Sequence, residues 1–176
     1  MNAATGPFAI AAALLALGGV AKAFRPVDTA NALAAVGVSV HRNLVRVGGA
    51  LEAAIGLGAL ATGSRSLAAL VAVSYLAFTM FVLVALNRGT PISSCGCFGK
   101  ADTPPSRVHV VLNLAAAGAA LAIVVQPTSG FVDVVAGQPL AGVPCVLLVV
   151  TGVVAAMTAL TVLPRATGGI PTGARG

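Results

Sequence analysis

Charged side chains are scarce in this chain, with only ten Lys and Arg and four Asp and Glu among 176 residues, or 8%. A soluble domain covers its surface with about 25% charged residues. The outer surface here is therefore apolar, and the solvent around it is lipid. Tryptophan is absent, aromatic residues make up 4%, and the basic residues stand singly at the ends of apolar runs. Without a basic patch or stacking side chains, nucleic acid is excluded as a partner. The net charge of +6 and pI near 10.3 instead describe membrane loops. Three cysteines are too few for the disulfide framework of a small secreted domain. No heptad run, long repeat, phosphate loop or nucleotide fingerprint is present.

What is present is hydrophobicity, at 58% of residues and a mean hydropathy of +1.02. The first apolar run, Pro7 to Phe24, ends at Lys22, Arg25 and Pro26. Ala21-Lys22-Ala23 mimics a signal-peptide cleavage site, but Met1 to Gly6 lacks the basic residues with which such peptides start, so the run reads as a retained helix. A short interfacial helix is expected over Asp28 to Val40, capped by Asp28 or Thr29, with Leu33, Val36 and Val40 at helical spacing. Further spans are expected from about Leu44 to Thr62, Leu67 to Leu86, Val108 to Val125 and Gly142 to Leu163. Pro104 and Pro105 forbid helix ahead of the fourth, and Ser106 is positioned to cap it. The paired and spaced glycines at 18, 19, 48, 49, 56, 58 and 118 read as residues that let helix backbones approach closely.

Five spans place Arg65 alone on one side of the membrane. The other side holds Lys22, Arg25, Arg42, Arg46, Arg88, Lys100, Arg107, Arg165 and Arg175. Nine basic residues against one predict a cytoplasmic location for the second set, including the loop between the third and fourth spans.

That loop carries Cys95-Gly96-Cys97-Phe98-Gly99. Two thiols flanking one residue can close a strained ring if the backbone turns sharply, which Gly96 allows. Strain makes such a disulfide easy to reduce, and Arg88, Lys100 and Arg107 nearby favour the thiolate. The same two sulfurs also suit a soft metal such as Cu(I) or Zn(II), and an inert loop is the third reading. Lys22 and Glu52 are charges within apolar runs and need a partner; each is the natural partner of the other, as a structural pair or as a proton relay. His109 and Asn113 lie four apart, on one helix face, in the same leaflet. Polar residues converging at one end of an apolar bundle mark where a site belongs. Cys145, near the start of the last span on the opposite side, reads as a small hydrophobe.

Gly18-Gly19-Val20-Ala21-Lys22 with Arg25-Pro26, Leu51-Glu52 with Gly56, Ser94-Cys95-Gly96-Cys97-Phe98-Gly99 and Asn113 together resemble the methylamine-utilisation protein MauE family, which is related to the DoxX-like membrane proteins. The resemblance covers about Phe8 to Val125. It implies an all-α membrane protein with a four-helix DoxX/MauE-like transmembrane bundle over 7–126. A loop at 127–140, a fifth C-terminal transmembrane helix at 141–164 and a disordered tail at 165–176 complete the expected organisation. It further implies a thiol–disulfide role beside a thioredoxin-like protein or partner redox enzyme, with Cys95 and Cys97 as the redox pair and Lys22, Glu52 and Asn113 in support. Disulfide formation belongs outside the cytoplasm, whereas the charge count puts the motif inside. An inward pair would take electrons from cytosolic thiols or exchange them with quinone, the one candidate cofactor, in the bilayer. A non-catalytic anchor or subunit of a partner complex is the alternative. The expected location is a bacterial cell membrane.

Overall fold

The computed structural model of the chain describes residues 3–88, 105–137 and 139–167. These residues are helical with short links: α1 (Thr5–Phe24), α2 (Pro26–Ala35), α3 (Arg42–Thr62), α4 (Arg65–Asn87), α5 (Arg107–Val125), α6 (Phe131–Gly137) and α7 (Pro139–Thr167). Five of them, α1, α3, α4, α5 and the stretch Gly142–Val162 of α7, are long and apolar enough to cross a membrane. The expected five-span all-α membrane fold is present.

Local chemistry sets the ends. α3 starts after His41, whose Nδ1 accepts from the Asn43 N–H at 3.3 Å, and stops at Gly63, whose φ of 60° is left-handed. Ser64 then caps α4 by accepting from the Leu67 N–H at 3.3 Å. Two expected caps differ. The second helix begins at Pro26 rather than at Asp28 or Thr29, because proline at the first helical position needs no N–H partner. Ser106 precedes α5 as expected, yet its hydroxyl bonds His109 Nδ1 at 2.9 Å instead of a backbone N–H. The segment 127–140 is more than a loop, since it contains the seven-residue α6 and the start of α7. The α7 helix reaches Thr167; residues 168–176, expected to be disordered, lie outside the described residues.

α1 is the centre of the bundle, packing on α3 most extensively and also on α5 and α7. Its core is built from small side chains, among them Ala11, Ala12, Ala59, Ala68, Ala72, Ala117 and Ala120, around Phe8, Leu15, Val71, Tyr75 and Ile123. Large apolar side chains such as Leu51, Leu57, Val73, Met80, Leu147 and Leu148 point outward, which is the arrangement expected when the outer solvent is lipid. α2 lies on the end of the bundle, with Ala32 and Val36 packed against Ala85 of α4.

One buried hydrogen bond ties α4 to α1: the Tyr75 hydroxyl donates to the Ala11 carbonyl at 2.7 Å. Tyr75→Phe removes only that oxygen. It is expected to cost about 1 kcal/mol, read from denaturant titration in detergent micelles. An unchanged midpoint would mean that the bond contributes nothing to holding α4.

Candidate functional site

The site is positioned by the crossing of α1 and α3. A Cβ on Gly49 would lie 2.7 Å from the Gly19 carbonyl oxygen and 2.8 Å from Lys22 Cβ. Two turns further along α3, a Cβ on Gly56 would lie 2.6 Å from the Ala12 oxygen. Only glycine admits so close an approach. Lys22 follows Gly19 by three residues and Glu52 follows Gly49 by three, so the two charged side chains emerge one turn from the point of contact. Their Nζ and Oε2 atoms meet at 2.5 Å.

The pair sits deep in an apolar setting. Glu52 is ten residues into α3, about 15 Å along the helix axis. The Lys22 side chain is 9% exposed and that of Glu52 21%. Lys22 Nζ also lies 4.1 Å from the centre of the Phe78 ring, a cation–π contact that supplies a second partner for the ammonium. Tyr75 stands edge-on to Phe78, with ring centres 5.9 Å apart. The side chain expected to reach Glu52 does so.

Lys22, Glu52 and Phe78 form a wall between two cavities. The first, of about 230 Å³, lies between α1, α4, α5 and α7, and His109 and Asn113 line it with the ion pair. The second, of about 270 Å³, lies between α1, α2, α3 and α4 and is lined mostly by apolar side chains including Leu33, Leu44 and Phe81. His109 is 4% exposed. Among the described residues its Nδ1 is held by Ser106 Oγ, and Asn113 makes no hydrogen bond to a described residue.

Four of the six expected site residues, Lys22, Glu52, His109 and Asn113, therefore border one cavity. The other two, Cys95 and Cys97, lie outside the described residues. The chain segment that carries them connects Arg88 to Pro105, and both flanks are tied to this end of the bundle. The Arg88 guanidinium donates to the Val36 carbonyl, and Ser106 bonds His109 at the cavity wall. Arg46 Nε donates to the Ala23 carbonyl at 3.2 Å close by, so Arg46 and Arg88 share this end. Cys145 is a free, partly buried cysteine on α7.

Two contributors were not expected. Phe78 completes the ion-pair site, and the run Tyr75, Phe78 and Phe81 at three-residue spacing on α4 is a signal that an aromatic-spacing argument would catch. Ala156 and Leu160 of α7 close one side of the first cavity, and nothing local in the sequence marks them.

An apolar helical bundle with a largely buried Lys–Glu pair between two cavities defines a multi-pass membrane protein with a polar intramembrane site. The methylamine utilisation protein MauE family matches residues 2–126, and the chain belongs to that family. The match takes in α1 to α5 and ends before α6 and α7. No curated protein and no solved structure matches the chain.

Proposed function

We propose that this protein is a thiol–disulfide redox protein of the cell membrane, with the Cys95–Cys97 pair as its exchanging group. The observation that carries the reading is the gathering of Lys22, Glu52, His109 and Asn113 at the end of the bundle from which the Cys-Gly-Cys segment departs. Thiol oxidation and reduction move protons, and in an apolar protein the ionisable side chains of Lys22, Glu52 and His109, with the Asn113 amide to orient them, are the groups able to serve that chemistry.

The exchange follows the usual course of thiolate attack. A thiolate of a partner protein attacks one sulfur of the Cys95–Cys97 disulfide, breaking that bond and forming a mixed disulfide. The partner's second thiolate then breaks the mixed disulfide. The partner leaves oxidised, and Cys95 and Cys97 are left as thiols, having received two electrons and two protons. A thioredoxin-like protein or a maturing redox enzyme is the class of partner that presents such a dithiol. The basic end of the bundle faces the cytoplasm by the positive-inside rule.

The test is trapping. With Cys95→Ser and Cys97→Ser made singly, one variant is expected to accumulate a mixed disulfide with a partner, resolved by reductant, while the double variant accumulates none. A membrane-impermeant thiol reagent on intact cells reads sidedness in the same preparation. Full exchange activity in the double variant refutes the reading and leaves the protein as an anchor for its complex.

A further inference from the structure

The cavity bordered by His109 and Asn113 has a particular shape. On α1 it is lined from Pro7 to Lys22, every residue falling on one helix face. Fifteen helical steps from Pro7 to Lys22 correspond to about 22 Å, so the 230 Å³ space is a slot running along α1 rather than a rounded pocket. Most of its walls are apolar residues of α1 and α5, and α7 covers it through Ala156 and Leu160. All its charged and strongly polar groups lie at one end.

Such a slot takes a single flexible apolar chain with a compact headgroup at the polar end. Its volume is below the roughly 300–1,000 Å³ of sites that enclose a whole drug-sized ligand, so it takes a headgroup and part of one chain, the remainder lying against the open side in lipid. Lys22 and Glu52 cancel one another, so the polar end holds no surplus cation for a carboxylate or phosphate headgroup. It does hold hydrogen-bonding groups in the Asn113 amide and the second ring nitrogen of His109, and the aromatic faces of Tyr75 and Phe78 border the same space. A neutral, planar headgroup with carbonyl acceptors matches that set.

We propose that this slot is a binding site for an isoprenoid quinone, with the quinone ring at the Lys22–Glu52–His109–Asn113 end and the chain running along α1. The proposal deepens the thiol–disulfide reading and rests on it for the source of electrons. Oxidation of the Cys95 and Cys97 thiols to a disulfide forms one S–S bond and releases two electrons and two protons. Quinone accepts both electrons and both protons and becomes quinol. The dithiol left by exchange with the partner is thereby returned to its oxidised form.

The experiment uses the full chain in lipid nanodiscs with a photoreactive azido-quinone, labelled positions being mapped by mass spectrometry. Saturable labelling of the Leu14–Lys22 and His109–Ala119 faces is expected, displaced by decylubiquinone and not by oleate. Asn113→Leu, close to isosteric, is expected to weaken labelling about tenfold through the loss of one headgroup hydrogen bond. Ala156→Phe fills the slot and is expected to abolish labelling; retained monodispersity and Tm show that each variant is folded. Cys95→Ser/Cys97→Ser is expected to label like the parent protein, so binding is read independently of exchange. Labelling spread over the lipid-facing surface, or displaced equally by oleate, overturns the quinone assignment even if thiol exchange is intact. Loss of exchange with specific labelling preserved overturns only the thiol–disulfide reading.

Discussion

Gly56→Leu is expected to destabilise the protein by at least about 3 kcal/mol, above the usual range for overpacking, because the added side chain meets backbone rather than a movable side chain. A Cβ at this position lies 2.6 Å from the Ala12 oxygen and 2.7 Å from the Ala16 nitrogen, so α1 and α3 must separate to admit it. Separation also pulls Lys22 away from Glu52, which is one turn from Gly56 on α3. Gly118→Leu provides the comparison. It is the same change in another membrane-spanning helix, at an exposed glycine whose added Cβ has nothing within 4 Å, and helix propensity there favours leucine over glycine by up to about 1 kcal/mol. Thermal or denaturant unfolding in one detergent is expected to separate the two variants widely. Similar midpoints would show that α1 and α3 are not held by close backbone contact.

Spans and charge partners are legible in the sequence, and helix rotation is not. Long apolar runs, their turn residues and the scarcity of charge were enough to fix the five spans to within a few residues, because a lipid-exposed helix needs an apolar surface along its whole length. Glu52 and Lys22 were legible as partners for a related reason, since a charge so deep requires compensation. Which glycines touch backbone was not legible. Gly48 and Gly49 are neighbours in sequence, yet an added Cβ is unobstructed at the first and blocked by α1 at the second; only the rotation of α3 distinguishes them. The role of α7 was hidden similarly. Its apolar sequence announces a membrane span, but no polar residue marks Ala156 and Leu160 as a cavity wall. Phe78 fell between these cases: its type was visible, while its position beneath the Lys22 ammonium depended on how α4 packs against α1.

The ion pair gives the second large effect, and its two halves are not equivalent. Removing either partner by Lys22→Met or Glu52→Leu leaves a charge without its counterion in an apolar bundle, at an expected cost of about 3–5 kcal/mol. Lys22 is two residues from the end of α1, and its long side chain can turn toward the headgroups once Glu52 is gone. Glu52 is a short side chain ten residues into α3 and has no comparable escape. Lys22→Met is therefore expected to cost more than Glu52→Leu. Combining the two removes both charges and is expected to recover stability to within about 1 kcal/mol of the parent, as apolar replacement of buried ion pairs often does. Unfolding midpoints of the four proteins in the same detergent give the coupling directly; additive losses in the double variant would show that the two side chains do not interact. The recovered double variant then separates structure from chemistry. If Lys22 and Glu52 only align α1 with α3, a folded double variant keeps the parent's level in both proposed readouts, thiol exchange and quinone labelling. If they serve the site, the protein folds and both readouts fall, because the pair that makes the helices meet is also the one that faces the slot.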